Sequence, residues 1–241
     1  MLLRQITAFR RAMVTLAEYY STLFSGSLPT PIPNPTFPYP TSYTPAGSSG
    51  PRSFKYTESV PGQLHFFGRS DTDERLCIKF TRYYSKEVHE FCAKEGFAPS
   101  LHAMECLPDG WYMVVMDDVR VDYVDLATFL RNVTELARFR SILDNIRRRL
   151  VKLHQAGLAH GDIRDATIFA SNTGLNDNFL LVDFTTSGEI GKAVYPLFVN
   201  RIMVTRPEEV RDNQLVLAEH DMHMLDILDS SYELRMRCEN V

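Results

Sequence analysis

The apolar positions near the start of the chain are three or four residues apart, which is the spacing of one face of a helix. They lie within residues 1–26 and comprise Leu2, Ile6, Phe9, Met13, Leu16, Tyr20 and Leu23. The same stretch is rich in arginine and nearly free of acidic residues, as mitochondrial transit peptides are. Its tyrosines and regular stripe favour a helix that packs on the folded body of the protein.

The segment that follows this predicted helix is rich in proline. Residues 29–51 hold eight of the 13 prolines, with Ser, Thr and Gly between them. Proline fixes φ and lacks an N–H donor, so this stretch is not expected to form a helix or an inner strand. The composition predicts an extended linker. Residues 1–52 are therefore predicted to be a helix followed by a linker, outside the folded body.

The folded body begins near Phe54 with strand-like patterns. The runs QLHFFGRS and RLCIKFT are separated by the polar turn DTDE, which predicts a hairpin. The segment YSKEVHEFCAKEGFAPS predicts a helix, with Ser85 as its N-cap, Val88 and Cys92 in its core stripe and Gly96 at its end. The run GWYMVVMDDV predicts a buried strand that ends in acidic residues.

The second half of the body is more helical. The segment ELARFRSILDNIRRRLVKLHQAG predicts a long amphipathic helix that ends at Gly157. Its apolar face comprises Ile142, Leu143, Ile146, Leu150 and Leu153. NFLLVDF predicts another short buried strand. A β-rich first part, a connecting segment and a helical second part predict a two-lobed α+β fold.

Composition and charge narrow the class of protein. A hydrophobic fraction of 44% and a charged fraction of 23% in 241 residues are typical of a globular protein. The net charge of -4 leaves no basic excess for nucleic acid, and no apolar run is long enough for a bilayer, so neither partner is expected. The four cysteines lack metal or disulfide spacing, which favours a cytoplasmic or nuclear protein: Cys77, Cys92, Cys106 and Cys238.

The candidate chemistry follows the long helix. A tight turn carries the sequence HGD, which ends at Asp162, and a later strand carries Asp183. Transfer of a γ-phosphoryl group needs a carboxylate that orients the acceptor, oxygen ligands for a metal, and cations on the phosphates. In that layout Asp162 would orient a hydroxyl nucleophile and Asp183 would hold Mg²⁺. We expect both carboxylates to face one cavity between the lobes; the alternative for Asp162 is a turn cap.

Lys79, in a strand of the first lobe, is the candidate cation for the α- and β-phosphates. Glu87, in the first turn of the next helix, would pair with Lys79 and fix its position. Glu90 lies one turn away on a similar face and competes for that role. The alternative interpretation of Lys79 is an ordinary strand lysine with its charge in solvent.

Residues 54–226 carry a series of motifs whose order matches that of one family. They are CIKF for Val-Ala-Ile-Lys, YMVVMDDV for the hinge, HGDIRDATI for the catalytic loop, LVDFTTSGE for Asp-Phe-Gly, TRPEEV for Ala-Pro-Glu, and HDMHMLD for the helix whose Asp ties down the catalytic loop. The body thus resembles the protein-kinase superfamily, and most closely a group of fungal protein-kinase-like proteins.

The resemblance implies a fold, cofactors and a partner. Residues 53–119 would form a small β-rich N-lobe and residues 120–241 a short, truncated helical C-lobe. ATP and Mg²⁺ would be the cofactors, with the γ-phosphate passing to a Ser or Thr hydroxyl of a protein partner. Arg164 would neutralise the transferring phosphate. The hinge would present backbone groups to the adenine from Met116, Asp117, Asp118 and Val119. Small-molecule kinases that phosphorylate alcohols also use HGD but usually continue with His-Pro-x-Asn.

Departures from the family pattern leave two hypotheses open. Thr167 stands where the pattern has Asn, the second metal ligand, and its hydroxyl would reach a metal poorly or through water. Thr185 replaces the Gly of Asp-Phe-Gly, which costs backbone freedom. The Gly-rich phosphate loop is missing. The chain is therefore expected to be either a kinase with weakened metal binding or a pseudokinase that acts as a nucleotide-binding or scaffold module.

Overall fold

The structure is a computed structural model that describes residues 2–25, 40–132, 136–173 and 177–239. It divides into two units, Met1–Pro40 and Thr41–Val241. In the first unit the predicted helix is confirmed as α1, Leu2–Ser25, and much of its apolar stripe is exposed. The predicted linker falls in part on residues 26–39, which lie outside the described residues. Across the part of the chain that is described, no helix has both the length and the hydrophobicity needed to cross a membrane.

The second unit mixes strands and helices. In chain order its elements are β1 Ser42–Tyr43, β2 Arg52–Ser59, β3 His65–Ser70, β4 Arg75–Thr81, α2 Lys86–Lys94, β5 Leu101–Leu107, β6 Trp111–Asp117, β7 Tyr123–Asp125, α3 Leu126–Asn132, α4 Leu136–Gln155, β8 Leu158–Ala159, β9 Ile168–Ser171, β10 Phe179–Leu181, β11 Gly188–Glu189 and α5 Ala218–Glu239.

The largest sheet has six strands in the order β1-β2-β3-β4-β6-β5. The predicted hairpin is confirmed as the antiparallel pair β3–β4, and the predicted buried strand is β6, which pairs with β4. Successive side chains of a strand point to opposite faces. Ile78 and Phe80 are therefore buried in the core on one face of the sheet, whereas Lys79 between them points to the other face.

The folded body begins earlier than the sequence predicted. Ser42 and Tyr43 pair with β2 as an edge strand, and the Tyr43 side chain is buried against Phe54 with ring centroids 6.1 Å apart. The predicted boundary at residue 52 is thus too late. The prolines of this stretch bar a central strand, but an edge strand needs ladder bonds on one side only, and Tyr43 contributes an aromatic ring to the core.

The helical part of the unit is built around α4. Its predicted apolar face, which runs from Ile142 to Leu153, is buried in one core cluster together with residues of α2, α3 and α5. The predicted α2 is confirmed, with the Ser85 side chain accepting the Val88 N–H at 3.3 Å. The short buried strand predicted from NFLLVDF is confirmed as β10. It belongs to the small sheet β10-β9-β7, and this sheet and the sheet β11-β8 otherwise consist of strands that the sequence did not predict.

Candidate functional site

The turn between β8 and β9 is fastened by a buried aspartate of α5. Asp221 accepts the backbone N–H groups of His160 at 2.8 Å and of Gly161 at 2.7 Å, and His154 Nε2 lies 3.0 Å from the same carboxylate. The predicted tie between this helix and the loop is confirmed. Gly161 has φ +79°, and a Cβ there would lie 2.8 Å from the Thr186 carbonyl oxygen, so only glycine fits this position.

The strand lysine and the second aspartate meet across the fold. Lys79 Nζ lies 2.6 Å from Asp183 Oδ1, and the Thr185 hydroxyl donates to the same oxygen at 2.7 Å. Asp183 itself has φ +66°, a left-handed conformation that is uncommon for residues other than glycine and occurs often at functional sites. The expected backbone cost at Thr185 is absent, because the left-handed residue is Asp183.

The charges of this pair are coupled. Burial by itself would raise the pKa of Asp183, but the Lys79 ammonium more than reverses that effect and holds the pKa well below its ordinary value. Burial and the same ammonium lower the pKa of His65 to about 4. The cleft therefore contains a carboxylate and an ammonium beside a neutral imidazole at neutral pH.

Lys79 and Asp183 line a cleft of about 520 Å³, which is within the usual range for a small-molecule site. Arg164 lies on the same wall. All four predicted hinge residues, Met116 to Val119, line it. Apolar walls come from Phe67, Cys77, Phe169 and Val182.

The side chains of the acidic hinge residues have protein partners of their own. Asp117 Oδ1 lies 2.7 Å from His102 Nε2. Asp118 accepts hydrogen bonds from Arg75 and Arg120. The Arg120 guanidinium also lies over the Phe67 ring, 3.1 Å from its centroid. The carboxylates of Asp117 and Asp118 are thus engaged by other side chains of the protein.

The predicted pairing of Lys79 with Glu87 is wrong. Glu87 is exposed, because α2 turns Val88, His89 and Cys92 inward. Glu90, the alternative partner, is also exposed and lies 3.6 Å from Lys86. Among the described carboxylates, Asp183 is the one within salt-bridge distance of Lys79.

Asp162 is buried and is held by two arginines. Arg164 Nε donates to Oδ2 at 2.9 Å and Arg206 Nη2 donates to Oδ1 at 2.6 Å. Among the described residues that line the cleft, Asp183 and Arg164 are present and Asp162 is not. The prediction that both aspartates face one cavity therefore holds for Asp183 only.

The Thr167 side chain is engaged by the backbone of its own loop. Its side chain is buried, and its hydroxyl donates to the Asp162 carbonyl oxygen at 2.5 Å while accepting the Arg164 N–H at 3.1 Å. The one oxygen of this side chain thus serves the backbone of the loop. The role of Thr167 as a metal ligand stays a prediction, and it would require these hydrogen bonds to be exchanged.

Asp183 is the carboxylate at the cleft that stays a candidate metal ligand. Within the described residues, no cluster of three His, Cys, Asp or Glu side chains is arranged to hold a metal. Mg²⁺, however, is commonly held by one or two carboxylates together with substrate phosphates and water. Asp183 provides one such carboxylate beside the cleft. The other carboxylates that line the described part of the cleft have protein partners: Asp117, Asp118 and Asp125.

Arg206 was not among the predicted site residues. It stands at the Ala position when TRPEEV is matched to Ala-Pro-Glu, and its contact with Asp162 joins positions 44 residues apart. His65 was also missed, because a histidine in a strand carries no pattern of its own. Only the pairing of β3 with β4, which sets His65 opposite Lys79, brings it to the cleft.

Comparisons with known proteins give a likeness of fold. No family model matches the sequence, and no curated protein matches it. The chain is similar in fold to a chain in the crystal structure of the yeast RNA Pol II CTD kinase CTDK-1 complex, with a TM-score of 0.47 and 15% sequence identity. The match covers 71% of this chain and 59% of that one, so this chain spans less than two thirds of the length of its match.

Proposed function

We propose that the second unit is a two-lobed phosphotransferase of the protein-kinase type, which passes the γ-phosphate of ATP to a Ser or Thr hydroxyl of a protein. The observation that carries the proposal is the contact of Lys79 with Asp183, which lie 104 positions apart in sequence. A phosphate-binding cation and a metal-binding carboxylate are the two charges that this chemistry requires at one place.

Each cleft residue has a part in this proposal. The backbone of residues 116–119 would contact the adenine between the apolar walls. Lys79 would bind the α- and β-phosphates, and Asp183 would hold one Mg²⁺. That ion would supply charge neutralisation on the phosphates. Arg164, which reaches the cleft from the catalytic loop, would bind the transferring phosphoryl group.

Asp162 would orient the acceptor. The acceptor oxygen forms a bond to the γ-phosphorus while the bond from that phosphorus to the bridging oxygen breaks, and the electron pair leaves with ADP. The proton of the acceptor hydroxyl passes to Asp162. In the arrangement described above both Asp162 oxygens are bound by guanidinium groups, so the acceptor must replace one of them.

The second candidate is a pseudokinase that binds nucleotide without turnover. Two observations favour it: the Thr167 hydroxyl is engaged by the loop backbone, and the Asp162 carboxylate is engaged by Arg164 and Arg206. Neither affects the cleft that would hold the nucleotide. Both candidates therefore predict nucleotide binding, and they differ in turnover.

An assay of phosphate transfer separates the two candidates. Asn at position 167 has an NH₂ group that could donate to the Asp162 carbonyl and a carbonyl oxygen that could bind Mg²⁺. Thr167→Asn should therefore raise transfer to a protein acceptor, or ATP hydrolysis, and lower the Mg²⁺ concentration needed. Asp162→Ala added to it should remove the gain. No turnover in either variant, in a protein that binds ATP, would favour the pseudokinase.

A further inference from the structure

We propose that Arg206 is a positioning residue that holds Asp162 in a closed state, so that acceptor access requires Arg206 to move. This rests on the proposed function only in taking Asp162 as the carboxylate that orients the acceptor. The residue belongs to the irregular stretch between β11 and α5, and its contact with the loop after β8 bridges two distant segments.

Arg206 is fixed on several sides. Its Nη2 donates to Asp162 Oδ1 at 2.6 Å, its Nε donates to the Asn200 carbonyl oxygen at 3.0 Å, and its Nη1 lies 3.7 Å from Met224 Sδ. Only 6% of the side chain is exposed. A buried guanidinium needs a carboxylate partner, and Asp162 is the one within reach among the described residues.

The hydrogen bond from Arg206 also blocks access to the Asp162 carboxylate. Arg164 takes the second carboxylate oxygen, and only 10% of the Asp162 side chain is exposed. A substrate hydroxyl would thus meet a carboxylate that is bound by guanidinium groups on both oxygens. Arg164 lines the cleft, so it could stay in contact with the transferring phosphoryl group when a substrate binds. Arg206 does not line the cleft and has no such role. Arg206 is therefore the group that must be displaced from Asp162.

Arg206 lies outside the helices and strands. The ends of its segment are held by an isolated bridge from Val194 to Leu215 and by backbone hydrogen bonds of residues 193–195 with residues 213–216, but the backbone–backbone hydrogen bonds described for this segment do not include residues 198–206. Segments with few such contacts open at low free energy. Ile202 and Met203, just before Arg206, are 95% and 83% exposed, whereas Val204 packs against the main core and Val210 is buried. A shift that is confined to the Arg206 side chain and residues 201–203 therefore exposes little apolar surface.

Turnover by an Arg206→Met variant tests the proposal. Met keeps the apolar length of the side chain and removes the guanidinium. If Arg206 holds a closed state, kcat should rise about tenfold while KM for ATP stays unchanged, because the nucleotide cleft does not include Arg206. Arg211→Met, in the same stretch but with an exposed side chain that pairs with Glu208, should leave kcat unchanged. An unchanged or lower kcat in Arg206→Met would overturn the proposal.

A second measurement needs no activity and no folded Arg206 variant. Asp162→Asn keeps the shape of the side chain and removes its charge. The ion pair with Arg206 is then lost, and Arg206 should be held less firmly. Amide hydrogen exchange of residues 198–206 should then accelerate about tenfold relative to the wild type. Equal exchange rates in the two proteins would overturn the proposal. If the wild type fails to bind nucleotide, the proposed function falls, while the exchange comparison still decides whether Asp162 and Arg206 hold each other.

Discussion

The Lys79 ammonium lies 2.6 Å from the Asp183 carboxylate on the inner wall of the cleft. The lysine reaches this position because the alternation of β4 directs it away from the core that Ile78 and Phe80 enter. The aspartate reaches it through a left-handed backbone at the end of β10. The pair needs no glutamate from α2, so the lysine is held by the carboxylate that is also proposed to bind metal.

This pair should contribute to folding stability as a unit. Lys79→Met would leave the largely buried Asp183 carboxylate without a cationic partner. Asp183→Asn would leave the Lys79 ammonium without an anionic partner. Each should lower the free energy of unfolding by about 2 kcal/mol, and the double variant should lose less than the sum. Urea unfolding of the four proteins measures the coupling. Additive losses would contradict the pairing, and Lys192→Met, at an exposed pair with Glu189, should change nothing measurable.

Asp221 should be far more important for stability than its neighbour Asp226 on the same helix. Asp221→Ala leaves two buried N–H groups, those of His160 and Gly161, without an acceptor. We expect a loss of about 3 kcal/mol in unfolding free energy. Asp226 pairs with Arg147 at the surface, and Asp226→Ala should cost less than about 1 kcal/mol. Equal costs would show that the loop is not held by α5.

Two glycines with the same backbone conformation should respond differently to a methyl group. At Gly157, φ is +78° and nothing lies within 4 Å of a built Cβ, so Gly157→Ala should cost about 1 kcal/mol of backbone strain. At Gly161 the Cβ would also meet Thr186 and Val216. Gly161→Ala should therefore cost about 2 kcal/mol more. Thermal or urea unfolding measures both, and equal losses would contradict the packing.

His89 should make the protein sensitive to mild acid. Burial lowers the pKa of His89 to about 4, against about 6.5 in an unfolded chain. The unfolded state therefore takes up the proton first as pH falls. The stability contributed by neutral His89 is complete above pH 6.5 and is lost between pH 6.5 and 4, by about 3 kcal/mol in total.

A His89→Gln variant isolates this contribution. Gln can still donate to the Pro99 carbonyl that His89 Nε2 contacts at 2.8 Å, but it does not titrate. Its unfolding free energy should change less between pH 7 and pH 4 than that of the wild type. His65, whose pKa is also lowered, should account for part of the remaining dependence. Parallel pH profiles for wild type and variant would contradict the assignment.

Local patterns in the sequence were enough for most of the elements. The hairpin β3–β4 follows from alternation around a polar turn, and α2 follows from its Ser85 cap and apolar spacing. These two features depend on short stretches of sequence in which the spacing of residues determines the geometry. The contact of Asp221 with the loop after β8 joins positions 60 and 61 residues apart, and it was predicted from the family resemblance instead.

The parts that the sequence did not predict depend on orientation between distant segments. Spacing placed Glu87 one turn into α2, but packing decides which face of that helix is buried, and it buries His89 instead. Spacing likewise put Thr167 at the position of a ligand, whereas the hydrogen bonds of the loop direct its hydroxyl to the backbone. Arg206 meets Asp162 only through the path of an irregular segment, which has no periodicity to read.

Calorimetric titration with ATP, with and without Mg²⁺, tests the central claim most directly. The wild type should bind ATP in the cleft and bind it more tightly when Mg²⁺ is present, because Asp183 supplies one metal ligand beside Lys79. Lys79→Met, checked to be folded by circular dichroism, should bind at least about tenfold more weakly. Absence of ATP binding to the wild type, or equal binding by the two proteins, would contradict the assignment of this cleft as a nucleotide site.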